Sequence, residues 1–270
     1  MLKDITIGQY IPGASPLHKM YPPLKIIMAV LYAVVLFIIS KPLSYAVFTV
    51  YTLLLVIISG VRVRTFLKGL KPMLWILVFT AVLNLFLTPG ETLWSLPLWG
   101  FAVRITREGV YNACLLSVRL VYLVVGTSLL TLTTSPLQLT DAIEKLLRPL
   151  RVIKVPSFEI AMMMTIALRF IPTLAEETDK IMKAQTARGA DFTSGNIMQR
   201  ARAMVPLLVP LFISAFRRAD ELATAMEARC FRGGEGRTRM KETRPARRDF
   251  IASAVFMICA AAMLIVEFAV

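Results

Sequence analysis

The sequence predicts an all-α polytopic membrane protein, with about five transmembrane helices plus a cytoplasmic insert of long, kinked amphipathic helices. Three observations carry this. Of the 270 residues 57% are hydrophobic and the mean hydropathy is +0.67, against an apolar share of about 45–50% in a soluble domain. The apolar residues stand in long runs instead of being spread at core density. Most of the charged residues fall between the fourth and fifth runs, which marks that stretch as a polar insert.

Residues 1–23 are loop-like, because Gly8, Pro12, Gly13, Pro16, Pro22 and Pro23 break any helix, and they belong at the membrane surface. The start of the chain lacks the pattern of a cleavable leader, so the first span is retained. Runs 24–40 and 43–60, separated by Lys41-Pro42, read as two spans joined by a tight turn. Each is near the lower limit of about 17 residues for crossing the hydrocarbon core. Arg62, Arg64, Lys68 and Lys71 crowd the next connection, which sets the orientation because Lys and Arg are held on the cytoplasmic side. Residues 72–88 form the third span, and 89–108 an outer loop with Trp94 and Trp99 at headgroup level.

Residues 109–133 form the fourth span. It carries an intramembrane polar residue, Arg119, which must face a partner helix, line a polar cavity or snorkel to an interface. A functional role and a plain contact with a carbonyl are both open. Residues 250–270 are the last span, so the N-terminus lies inside and the C-terminus outside. The domains are then 1–133 (surface segment and four spans), 134–249 (cytoplasmic) and 250–270 (final span).

The formal net charge of +14 would raise nucleic acid as a partner for a soluble chain. Here retained cytoplasmic loops facing anionic headgroups account for it, and no nucleic acid is expected. Cys114 and Cys259 sit inside apolar runs and Cys230 in a basic stretch, so there is no disulfide framework.

Within the insert three helices are expected: near 137–150, from 157 to 189 and from 196 to about 229. Ser157 and Asn196 are the candidate N-caps of the two long ones. Apolar or small residues recur at three-and-four spacing in both, as in Met163, Ala167, Ile171, Leu174 and in Leu208, Leu211, Ala215, Leu222. Pro172, Pro206 and Pro210 should kink them. The three adjacent methionines Met162, Met163 and Met164 serve either as core filler or as an adaptable contact surface.

Each stripe ends in the same way. Ala187-Arg188-Gly189 closes the first long helix and Ala228-Arg229-Cys230 the second, with Gly233 and Gly234 following. A cation at a helix C-terminus complements the macrodipole, and glycine supplies a left-handed cap. The alternative is docking: a planar guanidinium can fork onto a carboxylate in a partner's groove, with small neighbours permitting close approach. The repetition on consecutive helices favours docking.

Enzyme chemistry is not evident. His18 is the single histidine, so paired-histidine metal sites cannot form and no metal site is expected. Glu176-Glu177 and Asp220-Glu221 lie among lysines and arginines, where a solvated face accounts for them. No Gly-x-x-x-x-Gly-Lys-Ser/Thr loop occurs, so the chain is not expected to bind ATP. An intramembrane enzyme and a stand-alone secondary transporter are the alternatives, the latter calling for several ionisable groups within the spans.

The segments at 7–13 and 15–18, at 184–192 and at 225–234 resemble the T component (EcfT) of energy-coupling factor transporters, in the form shared among several substrate-binding partners. Together with the span layout they cover essentially the whole chain. The resemblance implies a non-catalytic transporter subunit in the plasma membrane of a prokaryote, importing a vitamin or micronutrient. It implies two ABC-type ATPases that bind ATP and Mg and dock on Ala187, Arg188, Gly189, Ala228, Arg229 and Cys230. It also implies a small substrate-binding membrane subunit, whose contacts are assigned to Met162, Met163, Met164, Pro172, Pro206 and Pro210. The second motif departs from Ala-Arg-Gly at Cys230, which puts in doubt any need for glycine there.

Overall fold

The computed structural model describes residues 10–98, 101–192, 196–234 and 244–269, and of 92–98, 101–105, 151, 153, 197 and 269 the backbone alone. In chain order these residues form α1 (Pro22–Ile38), α2 (Pro42–Ser59), α3 (Val63–Leu70), α4 (Leu74–Leu87), β1 (Thr92–Leu98), β2 (Phe101–Thr106), α5 (Arg107–Thr133), α6 (Pro136–Leu147), α7 (Ser157–Ala187), α8 (Ile197–Ala228) and α9 (Arg247–Ala269). They fall into two compact units, one drawn from Gly8–Leu139 with Thr243–Val270, the other built around Thr140–Glu242.

In the first unit, α1 and α2 both begin with proline in the first turn, where its missing N–H costs nothing. Gly60 ends α2 at φ +67, a left-handed position that suits glycine. Around them Tyr32, Leu36 and Phe48 pack with Phe256, Ala260 and Met263 of α9, and Val118 and Tyr122 of α5 close over the cluster. The rings of Tyr32 and Phe48 are 4.7 Å apart and those of Phe48 and Tyr122 5.5 Å. A Cβ at Gly126 would lie 2.3 Å from the Tyr32 ring, so this glycine lets α5 close on α1. In a bilayer such close packing replaces the hydrophobic drive as the source of helix association.

Polar ties fix the ends of these helices. Lys25, buried at the start of α1, donates all three ammonium hydrogens: to the Thr133 carbonyl at 3.1 Å and to the hydroxyls of Thr133 and Thr134 at 3.0 Å each. At the far end Glu267 of α9 accepts the N–H groups of Ser40 and Lys41, both at 3.1 Å, and the Ser44 hydroxyl at 2.8 Å. Two of these donors belong to the opening of α2, where a carboxylate meets the positive end of the helix dipole. The starts of α1 and α9 thus share one end of the unit with the ends of α2 and α5. Lys19, Arg62, Arg64, Arg247 and Arg248 gather there, while Glu91, Glu108 and Glu267 mark the other end.

The expected number of spans recurs, with one difference in which helices reach full length. Among the described residues five stretches are long and apolar enough to cross a membrane: α2, the continuous Val63–Leu87, α5, α7 and α9. The first predicted span, α1, has 17 residues, about 26 Å of helix against a hydrocarbon core of about 30 Å. Helix α7 qualifies by length and composition alone, because Arg169 is the one charged residue between Glu159 and Glu176. The expected third span starts earlier, since a short 3-10 turn at Lys71–Met73 carries the helix past Pro72. No residue of α4 is buried, and Trp75 is 81% exposed.

The predicted outer loop is an antiparallel hairpin of β1 and β2, so its backbone donors are paired between strands. Thr106 then caps α5 by accepting the Gly109 N–H at 3.0 Å while donating to the Thr88 carbonyl at 2.8 Å. The side chain of Trp94 and the whole of Trp99 lie outside the described residues. So do residues 7–9 of the N-terminal segment.

In the second unit α7 and α8 run close to the expected bounds. Asn196 caps α8 through a capping box with Gln199. Ser157 does not cap α7: it is the first helical residue and is buried, and Pro156 holds the cap position without a side-chain bond. The expected helix near 137–150 ends at Leu147 and passes into a 3-10 turn, Arg148–Ile153.

Candidate functional site

Both arginine motifs fold as the same C-terminal device. At the end of α7 the Gly189 N–H reaches the Thr186 carbonyl at 2.9 Å and the Ala190 N–H reaches Gln185 at 3.0 Å, with Gly189 at φ +90. At the end of α8 the Cys230 N–H reaches Glu227 at 2.8 Å and the Phe231 N–H reaches Met226 at 3.1 Å, with Cys230 at φ +54. Each is a Schellman cap, with the arginine as the last half-helical residue. Met226 and Phe231, the two residues flanking the second cap, line one shared groove, the apolar contact that often accompanies this motif.

The second cap departs from the sequence reading, which looked to Gly233 and Gly234 for the left-handed residue. Cys230 takes that position itself, at a steric cost that glycine avoids. Gly233 is also left-handed, at φ +85, but lies beyond the cap. The similarity of the two motifs is therefore one of backbone geometry more than of residue identity.

Arg188 and Arg229 are both exposed, and among the described residues neither guanidinium has a hydrogen bond or an ion pair. They stand at opposite ends of the α7–α8 pair. Met162 lines a cavity with Arg229; Ile166 and Leu174 share a groove with Leu222 and Ala215; Glu177 meets Ser214 and Arg218. Followed forward along α7, the partners on α8 thus step backward. From the Met162 turn to Arg188 the axial distance is roughly 39 Å.

The structure also supplies one residue, Glu177, that the sequence reading assigned to a solvated face together with Glu176. Glu177 turns toward α8, accepting the Ser214 hydroxyl at 2.5 Å and the Arg218 guanidinium at 2.9 Å. Its signal was present: it stands three residues after Leu174 and four before Ile181, on the apolar stripe. Asp220-Glu221 fits the expectation better, Glu221 forming an i,i+4 pair with Arg217 in which both side chains are largely exposed.

The groove between the two helices, about 480 Å³, has walls that include Phe170, Leu174, Ala219 and Leu222, with Phe231 at one end. The methionine triplet divides around α7: Met162 is half-buried and lines the cavity beside Arg229, while Met163 and Met164 are exposed. Pro172 stands inside α7, and Pro206 and Pro210 inside α8, both helices continuing through them. Arg119 lies elsewhere, in the first unit. It donates to the Tyr45 hydroxyl at 3.0 Å and the Ile39 carbonyl at 2.9 Å, with its guanidinium carbon 5.7 Å from the Phe37 ring centre. That is the carbonyl contact of a helix bundle, and it ties α5 to the α1–α2 turn.

Comparison with known proteins follows the same lines. The family model described as cobalt transport protein, CbiQ, matches residues 13–240. A protein of Clostridium kluyveri named energy-coupling factor transporter transmembrane protein EcfT is 58% identical over 263 residues, covering 96% of each chain. Its namesake in Ruminiclostridium cellulolyticum is 53% identical over 268 residues, 99% of each. That of Lacticaseibacillus paracasei is 44% identical over 267 residues, covering 98% of this chain and 100% of its own.

Proposed function

Because the chain belongs to the CbiQ family, as a transmembrane component of an energy-coupling factor transporter, we propose that its two arginine tips are plugs for two ABC-type ATPases. The observation that carries this is the pair of like-capped helix ends, each offering an exposed arginine without a partner among the described residues, at opposite ends of one helix pair. A tip that served only its own helix dipole would need neither the repetition nor the separation. Two sockets on two ATPases need both.

In this reading the chain is a non-catalytic subunit. ATP and Mg belong to the partner ATPases, whose closing moves the tips. The α7–α8 pair, fastened at its middle by Glu177 to Ser214 and Arg218, passes that motion on as a lever. A small substrate-binding membrane subunit receives it along the faces carrying Met162, Met163, Met164, Pro172, Pro206 and Pro210, and the cargo is a vitamin or micronutrient. The basic end of the first unit, with Arg62, Arg64, Arg247 and Arg248, lies in the cytoplasm of a prokaryotic cell. The N-terminus and both coupling helices lie on that side.

The test is co-purification. Replacing Arg188 and Arg229 together by alanine is expected to strip the ATPases from the membrane subunit and abolish ATP-driven uptake. A full complex with full uptake after the double change would overturn the reading. Exchanging the three methionines for leucine is expected to alter competition among substrate-binding subunits while ATPase binding stays intact.

A further inference from the structure

The first unit carries a second cavity, which coupling does not use. It is a groove of about 410 Å³ between α2 and α9, roofed at the basic end by Pro16 and Met20 of the segment before α1. Its walls are apolar, and Leu54, Ile58, Ile251 and Val255 are each at least 40% exposed, so it opens sideways toward the space that hydrocarbon fills. The roof is held in place: the Arg248 guanidinium donates to the Lys19 carbonyl at 2.8 Å.

Charge at the roofed end is one-sided. Lys19, Arg247 and Arg248 are exposed, and among the described residues Lys19 and Arg247 have no ion pair. The acid of the lining, Asp249, is buried and turned inward, where it accepts the Ala246 N–H at 2.8 Å with the Arg248 guanidinium 3.9 Å away. An apolar slot with a cationic rim at a membrane-surface end matches a lipid in both its parts.

We propose that this groove holds an acyl chain of one anionic phospholipid, whose phosphate is bound by Lys19, Arg247 and Arg248. A zwitterionic lipid has the same hydrocarbon but brings a cation of its own to the rim, so the site selects for net negative headgroups.

The experiment uses the chain purified in its native complex and mixed micelles of phosphatidylglycerol carrying a photoreactive group on one acyl chain. Label is expected on Leu54, Ile58, Ile251 and Val255, displaced at least ten-fold better by unlabelled phosphatidylglycerol than by phosphatidylcholine. Lys19→Gln and Arg247→Gln, both exposed positions, are each expected to lower that preference about five-fold. Ala252→Phe, in the groove wall, is expected to remove label from the groove without affecting label elsewhere. Label spread evenly over α4 and the groove, or equal displacement by the two lipids, would overturn the proposal. So would a preference that survives Lys19→Gln and Arg247→Gln made together, or protection of the groove by a protein partner in the intact complex.

Discussion

The two units treat charge in opposite ways. In the membrane-embedded unit Lys25, Arg119 and Glu267 each find their partners inside the same chain, as carbonyls, hydroxyls or the opening N–H groups of a helix. In the α7–α8 unit the two arginines at the helix ends find none among the described residues. A polar group in lipid that is not satisfied internally costs several kcal/mol, so the charges that lie within the helix packing of the first unit stand where the fold pairs them. An exposed guanidinium in water costs little to leave open, which is the condition the proposed docking requires. The contrast separates residues that hold the fold from residues that use it.

That separation can be attacked at four points. The largest effect is expected at the tips: each of Arg188→Ala and Arg229→Ala should weaken ATPase binding by about 2–5 kcal/mol, much of it from the partner charge left unpaired. Thermal unfolding of the isolated chain should move little. Lys25→Met should do the reverse. With three buried acceptors orphaned, stability should fall by about 2–4 kcal/mol, read as an earlier thermal transition in detergent, while the tips still capture ATPases.

Smaller effects test the caps. Gly189→Ala places a Cβ in a left-handed residue and should cost about 1 kcal/mol, whereas Cys230→Gly should gain about as much. Amide exchange at the ends of α7 and α8 would register both, in opposite directions. Smallest is the middle tie. Glu177 and Arg218 are partly exposed, so Glu177→Gln should cost no more than about 1 kcal/mol in stability. Its larger consequence should be in uptake per ATP hydrolysed, if the tie is what makes the pair a lever.

Much of this was legible in the sequence. Long apolar runs fixed four of the helices of the first unit to within a few residues, because the bilayer demands length and little else. The asparagine cap of α8 was readable because Gln199 completes its box. Ser157 misled because the same residue type can sit just inside a helix once Pro156 has opened it. The hairpin at 92–106 was hidden because short strands beside a membrane carry no long period. Arg188 and Arg229 could be found by repetition, but not the shape they share, since a cysteine in a left-handed conformation has no sequence signature. Glu177 was hidden by its neighbour Glu176, which made two acids look like one solvated patch.

The Lys25 clamp also imposes an order on biogenesis. Its acceptors lie 108 and 109 residues further along the chain, so the clamp closes only once the end of α5 has been made. The carboxylate that seals the α1–α2 turn comes later still, 226 residues after Lys41. A chain cut short between those points has the first tie without the second, and its α1–α2 turn stays unsealed.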